Sequence, residues 1–346
     1  MTTLGTGLVP GGQQGTELSA VTRRAFLPRL IVQIYQASPL MTAMIGNANT
    51  AMGGISSVTV PVQYSNMVTS QWSDFSATFA QPSYQAGIQN MELNLALMIT
   101  PIPFLGTEAL VQDAHAVIPR IEAVMNDATN NATDTMATAL YNNYSNTSQI
   151  IGLPGAVDDG TNLVTYGGIN RTANTWFKSK VKSWGAVAPT RTNVMQSIAG
   201  VFGGTTSGTA TTGGASEMPN FGVMGVATWM ELAKDFISNE AFPIYPDGKG
   251  FDQQPQGPRS GFTALVVAGV PIFADPYCPE QALYLINTNY LNLYMHHMAM
   301  FAFTGFYSTM PNWQVGYIAA VLNVLQLVNT KPKSCGRFAM TSVTSL

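Results

Sequence analysis

The sequence predicts an α+β protein. Three observations lead there. Val58, Val60 and Val62 alternate with Thr59, Pro61 and Gln63, and Leu93, Leu95 and Leu97 alternate likewise, the period of two expected of extended chain. Ile118, Ile121, Met125, Ala128, Ala132, Met136 and Leu140 recur at spacings of three and four, the period of a long helix. From residue 189 onward, short helical and short extended stretches follow in mixed order.

Residues 1–20 are rich in Gly, Thr and Gln and read as an arm without a secretory pattern. Residues 21–46 read as an amphipathic helix, with Leu27, Leu30, Ile31, Ile34, Met41 and Met44 at helical spacing. Thr22-Arg23-Arg24-Ala25-Phe26-Leu27 resembles a twin-arginine export motif, but Pro28, Arg29, Gln33 and Gln36 interrupt what would be its apolar core. Gly53-Gly54 opens an extended region, residues 64–86 read as a hairpin tip, and residues 87–104 return as its second arm. A long hairpin with Asp74 and Glu92 as its only charges does not fold alone and needs a surface to lie on, expected on a neighbouring subunit.

Residues 106–145 form the clearest helix, with a kink or fresh start expected at Pro119 and a length of about 50 Å or more if unbroken. Helices are expected at 189–202 and 227–237, and strands at 221–226, within 263–274, at 283–287 and at 290–295. Residues 203–215 read as a Gly/Thr/Ser loop, Asp275-Pro276 as a turn, and 314–330 as a long apolar segment.

Charged residues make up 10 % of the 346, against a usual share of about 25 %. A free monomer so poor in charge would be poorly soluble, whereas a surface buried against copies of itself needs few charges. No Asp, Glu, Lys or Arg occurs between Gln281 and Thr330, yet the most apolar part, Val315–Val328, is shorter than the ~20 residues of a spanning helix, so no membrane partner is expected. Net charge is −3 and no basic block stands out, so any nucleic-acid contact is expected to be weak and diffuse.

The catalytic inventory is thin. His115 lies on the long helix, and His296 and His297 are adjacent, so in a strand they point to opposite faces and cannot share a metal. There is no zinc spacing, nucleophile elbow or phosphate-cradling loop. Asp158-Asp159-Gly160 reads as a turn rather than a cation site, and Glu231 and Asp235, beside Lys234, as a solvated helix face. Cys278 and Cys335 read as two small buried hydrophobes, with a disulfide left open. No catalytic, cofactor-binding or metal site is named.

The most informative stretch is Tyr166-Gly167-Gly168-Ile169-Asn170-Arg171-Thr172-Ala173-Asn174-Thr175-Trp176-Phe177. Two glycines permit a turn that a Cβ would forbid, Asn170, Arg171, Asn174 and Thr175 supply directional hydrogen bonds, and Trp176 and Phe177 supply apolar bulk.

This stretch resembles the "Gly-Gly-Ile/Leu-x-Arg-x-x-x-x-Trp" element of many major capsid proteins of tailed bacteriophages. Gly53-Gly54-Ile55 before the alternating valines resembles the start of that family's extension loop, and Asn329-Thr330-Lys331-Pro332-Lys333-Ser334-Cys335-Gly336 resembles its ending without the usual arginines. The resemblance implies a Hong Kong 97-like phage capsid fold: N-terminal arm and helix (1–46), long extension-loop hairpin (47–104), peripheral-domain spine helix (105–149), axial domain (150–300) and a return to the peripheral domain (301–346). It implies a virion protein, assembled in the host cytoplasm, that forms homo-pentamers and homo-hexamers of an icosahedral or prolate head around double-stranded DNA. Implied partners are a separate scaffolding protein, a portal, and decoration or minor capsid proteins, with no enzymatic step. Gly167 and Gly168 would carry the chain between the two domains, with Arg171 and Trp176 pinning that junction. Some relatives cross-link an extension-loop lysine, but the first lysine here is Lys178, so a non-cross-linked shell is expected. Two readings compete: an exported β-rich surface or binding protein, and an enzyme for which no residue set can be named.

Overall fold

In the computed structural model the described residues are 38–51, 56–65, 72, 86–105, 114–142, 148–185, 188–203, 218–239, 264–308 and 316–340. The arm, the twin-arginine segment, most of the first predicted helix, the Gly53-Gly54 turn, most of the hairpin tip and all of the predicted 203–215 loop but Gly203, which ends a helix, lie outside them. The strands are β1 (Asn49–Ala51), β2 (Ser57–Gln63), β3 (Ile88–Asn94), β4 (Ala96–Leu105), β5 (Thr165–Tyr166), β6 (Ile169–Asn170), β7 (Lys180–Ser183), β8 (Phe221–Met224), β9 (Ala264–Val267), β10 (Val270–Ala274), β11 (Ala282–Ile286), β12 (Leu291–His296), β13 (Ala302–Phe303), β14 (Tyr307–Ser308), β15 (Gly316–Asn329) and β16 (Gly336–Ala339).

Two sheets organise the chain. In the first, β15 is the central strand. β4 pairs antiparallel along one side of it, β14, β13 and β12 follow one another along the other, and β1 adds in parallel to β12. Where the apolar 314–330 run is described it is strand, Gly316–Asn329, continuously buried over Leu325–Asn329, and no described helix is long and apolar enough to cross a membrane. The second sheet has the order β7-β16-β11-β8-β10-β9. β8 (Phe-Gly-Val-Met) is buried on both faces, as its continuous apolar run requires. One face packs on Val194, Ile198 and Val201 of helix Arg191–Gly203 and on Leu232 of helix Val226–Asn239. The other, with Val223, Phe273 and Tyr284, joins the larger core that also holds β15 and the long helix.

That helix is continuous from Ala114 to Leu140, about 40 Å at ~1.5 Å per residue. Of the kink or fresh start expected at Pro119, the fresh start is absent: a proline removes one backbone bond, and the helix continues across it. Met125, Ala132, Met136 and Leu140 are buried while Asp127, Asn130 and Asp134 are exposed, as the spacing predicted. Its end is tied to the second sheet: the Tyr141 hydroxyl donates to Asp275 Oδ2 at 3.0 Å, and Ser38, which caps helix Pro39–Gly46, bonds the same oxygen.

Two expectations change. The 87–104 stretch is not one arm of a hairpin. It breaks at Leu95, whose N–H bonds Ser56 O at 2.9 Å, so β3 pairs with β2 while β4 enters the first sheet. Residues after 301 divide between the sheets, β15 in the first and the unforeseen β16 in the second.

Candidate functional site at the buried arginine junction

The element singled out by sequence folds as a tight hairpin. β5 and β6 pair antiparallel across Gly167-Gly168, whose φ angles are +56° and +79°. A two-residue turn with both φ positive matches the twist of the flanking strands, and glycine adopts it without strain. Gly167 has a second reason to lack a side chain. A Cβ there would lie 2.1 Å from Met91 Cγ, whereas the space at Gly168 is open. Gly167 O also accepts from Glu92 N at 3.0 Å, so the turn is bonded to β3.

Arg171, just after β6, is fully buried. Its Nη1 donates to Gly155 O at 2.7 Å and Leu163 O at 3.4 Å, and its Nη2 to Ala156 O at 3.1 Å. Gly155 and Ala156 end the short helix Leu153–Ala156, where carbonyls lack intrahelical donors and favour a cation. Asp158, also buried, lies 3.9 Å from Nη1. Its Oδ2 accepts from the backbone N–H groups of Gly160, Asn162 and Leu163 at 3.0, 2.9 and 3.0 Å. The Asp-Asp-Gly turn expected from sequence is present, and its first carboxylate belongs to the arginine's surroundings. Burial pulls the guanidinium below its usual pKa, countered by Tyr166 and by the carboxylates of Asp158 and Asp159. Its carbon centre sits 4.6 Å over the Tyr166 ring.

Tyr166 connects this cluster to the first sheet. Its hydroxyl donates to Leu327 O at 3.3 Å and accepts from Asn329 N at 2.9 Å, and burial pushes its pKa up to about 12. Asn329 Nδ2 donates to Ala156 O at 3.1 Å, the carbonyl Arg171 also uses. Trp176 is half-buried in a 3-10 turn, stacked on Tyr64 of the hairpin at 5.3 Å, with Nε1 donating to Asn174 Oδ1 at 3.2 Å. Gly167, Arg171 and Trp176 thus bond to different parts of the molecule: β3, the 153–163 turn and the hairpin end. Gly168 makes the turn alone. Sequence reasoning missed Asp158 as the arginine's neighbour, Tyr166 and Asn329 as its bridge to β15, and Met91 as the reason for Gly167; no local signal marks contacts at such separations.

Cys278 and Cys335 are free buried thiols, each with its pKa raised by burial. The His296 and His297 rings lie 5.4 Å apart rather than on opposite faces, because β12 ends at His296. No group of three metal-ligating side chains gathers among the described residues. Asp235 accepts from Arg191 N at 2.7 Å, at the start of a helix.

Compared by sequence, the chain matches no protein-family profile and no curated protein. Compared by structure, it has the fold of phage capsid proteins. A subunit of the cyanophage A-1(L) capsid is similar over 88 % of this chain and 93 % of its own, with TM-score 0.65 at 14 % identity. The capsid subunit of a native GTA particle matches over 87 % and 91 %, with TM-score 0.54 at 12 % identity. Mycobacterium phage Patience matches over 98 % and 92 %, with TM-score 0.52 at 12 % identity. The Hong Kong 97-like fold class expected from the order of elements therefore stands, at identities that speak for fold alone.

Proposed function

We propose that this chain is the major capsid protein of a tailed phage, assembling through pentamers and hexamers into a closed head around double-stranded DNA. The observation that carries the reading is whole-length correspondence: the likeness to the cyanophage subunit takes in nearly all of both chains. On this reading the first sheet and long helix form the peripheral domain, the second sheet the axial domain, and the Arg171 cluster is the latch between them. Scaffolding, portal and decoration proteins would be its further partners. The mechanism is assembly, with no chemical step.

An encapsulin from Synechococcus elongatus shares the fold, with TM-score 0.50 at 11 % identity. Electron microscopy of particles from cells making this chain with its neighbouring gene products separates the cases. Closed shells holding nuclease-protected duplex DNA are expected, with no covalent ladder on denaturing gels because the hairpin carries no lysine. Monodisperse monomers, or shells filled with protein and no DNA, would overturn the reading.

A further inference from the structure

The sequence has no basic block, yet the fold assembles one. Among 15 lysines and arginines, Lys178, Lys180 and Lys182 lie in one segment, and Lys331 and Lys333 in another about 150 positions later. Parallel pairing of β7 with β16 joins them, Gly336 opposite Lys180 and Phe338 opposite Lys182. Lys180 N bonds Cys335 O at 3.2 Å, and the 3-10 turn at 332–334 contacts the one at 175–177. β7 is the outer strand of the second sheet, so this is an edge.

Three of the lysines form a row, with Lys331 and Lys333 in the turn that precedes the neighbouring strand. Lys178 is extended, with φ −100° and ψ 141°, so 178, 180 and 182 fall on one side of the strand, about 7 Å between neighbours. Lys182 is exposed and lies over the Trp184 ring at 3.7 Å, Lys331 Nζ lies 5.2 Å from the Tyr290 ring centre, and all but Lys182 are partly exposed. Arg337 is on the opposite face, beside Tyr284, and is not part of the row. Neither segment contains a carboxylate, and no Asp or Glu follows Glu280 anywhere in the chain. Against the effect of burial, Lys178 is near enough to Asp159 to help hold that carboxyl below its usual pKa, after the hydrogen bonds from Thr161. Lys333 has its pKa lowered by burial and then by Lys331, a sign of cations crowded together.

We propose that this lysine edge holds the phosphate backbone of duplex DNA. Lysines are point charges without a planar fork, so the surface suits evenly spaced phosphates rather than base edges. The choice of DNA over an acidic protein rests on the capsid reading above.

The test is binding of the soluble full chain to a fluorescent random-sequence duplex, followed by anisotropy across salt. Five engaged lysines give a log–log salt slope of about −4.5, roughly a 500-fold loss of affinity between about 50 and 200 mM salt. The triple variant Lys180→Gln/Lys182→Gln/Lys333→Gln should flatten the slope by about 2.7, leaving roughly a 12-fold loss. Arginine at the same three positions should restore it, and Lys234→Gln, on helix Val226–Asn239, should leave it unchanged. An unchanged slope in the triple variant overturns the proposal, because the lysines then serve only to block sheet extension at an edge. Lysine-dependent binding of a poly-glutamate peptide without DNA binding overturns it too, in favour of an acidic protein partner. The readout needs no shells, so a failure of the capsid reading with the slope effect intact would be seen as such.

Discussion

Replacing Arg171 is the sharpest test of the junction. Arg171→Ala removes donors from Gly155 O, Ala156 O and Leu163 O and leaves Asp158 buried without its cation. Breaking a buried pair from one side costs about 3–5 kcal/mol. Two features hold the cost to the lower end. Asp158 Oδ2 keeps its three backbone donors, and Ala156 O keeps Asn329 Nδ2. We therefore expect about 3 kcal/mol for Arg171→Met, which preserves bulk, and more for Arg171→Ala, which also leaves a cavity. At ~2–4 °C per kcal/mol the Met variant should melt roughly 6–12 °C lower. Arg171→Lys should recover only part of this, since one ammonium cannot span two carbonyls as the fork does. Urea unfolding of unassembled subunits measures the first effect, and particle yield the second. If Ala and Met variants both unfold within about 1 kcal/mol of the parent and give normal particles, the cluster is not a latch.

The two glycines should behave differently. Gly167→Ala meets Met91 as well as the left-handed backbone and should cost about 2–4 kcal/mol, whereas Gly168→Ala meets only the backbone term of about 1–2, a gap readable by denaturant unfolding. At high pH, Tyr166 should be a weak point. Its folded pKa of about 12 stands above the ordinary 10.0, so its contribution is complete below pH 10 and is lost as pH rises from 10 to 12. Two units correspond to about 2.7 kcal/mol. The stability difference between the parent and Tyr166→Phe should thus be constant below pH 10 and move against the parent by about 2 kcal/mol by pH 12; a difference independent of pH would show that the hydroxyl is not held neutral.

What could be read from the sequence follows physical range. The period-two strands at 57–63 and 88–94, the helical face of 125–140 and the short helices after 190 depend on neighbours within a few residues, and they are where the pattern put them. β4 was misassigned because its period continues past Leu95; register with β15, not pattern, decides its sheet. Pro101 and Pro103 fit there because they sit exposed on an outer strand, where a missing N–H costs no ladder bond. β16, Gly-Arg-Phe-Ala, is too short to show a period and exists because β7 and β11 flank it. Arg171 was legible as a residue to watch, but its neighbours were not: a charge this buried takes carbonyls and a carboxylate from turns that only the fold brings in.

The hairpin shows how these pieces act together. Sequence placed it on a neighbouring subunit because it is too uncharged to stand alone. Among the described residues its inner face, Val58, Met91 and Leu93, is buried on its own chain, while Thr59, Pro61, Asn90 and Asn94 face outward. Glu92 N and Met91 engage Gly167 at the base, and Tyr64 stacks on Trp176 where the strands end. The direction in which the hairpin leaves the body is therefore set by the same turn that Arg171 locks. On the proposed capsid reading, a change at Arg171 is expected to alter contacts between subunits through the hairpin rather than at the cluster itself.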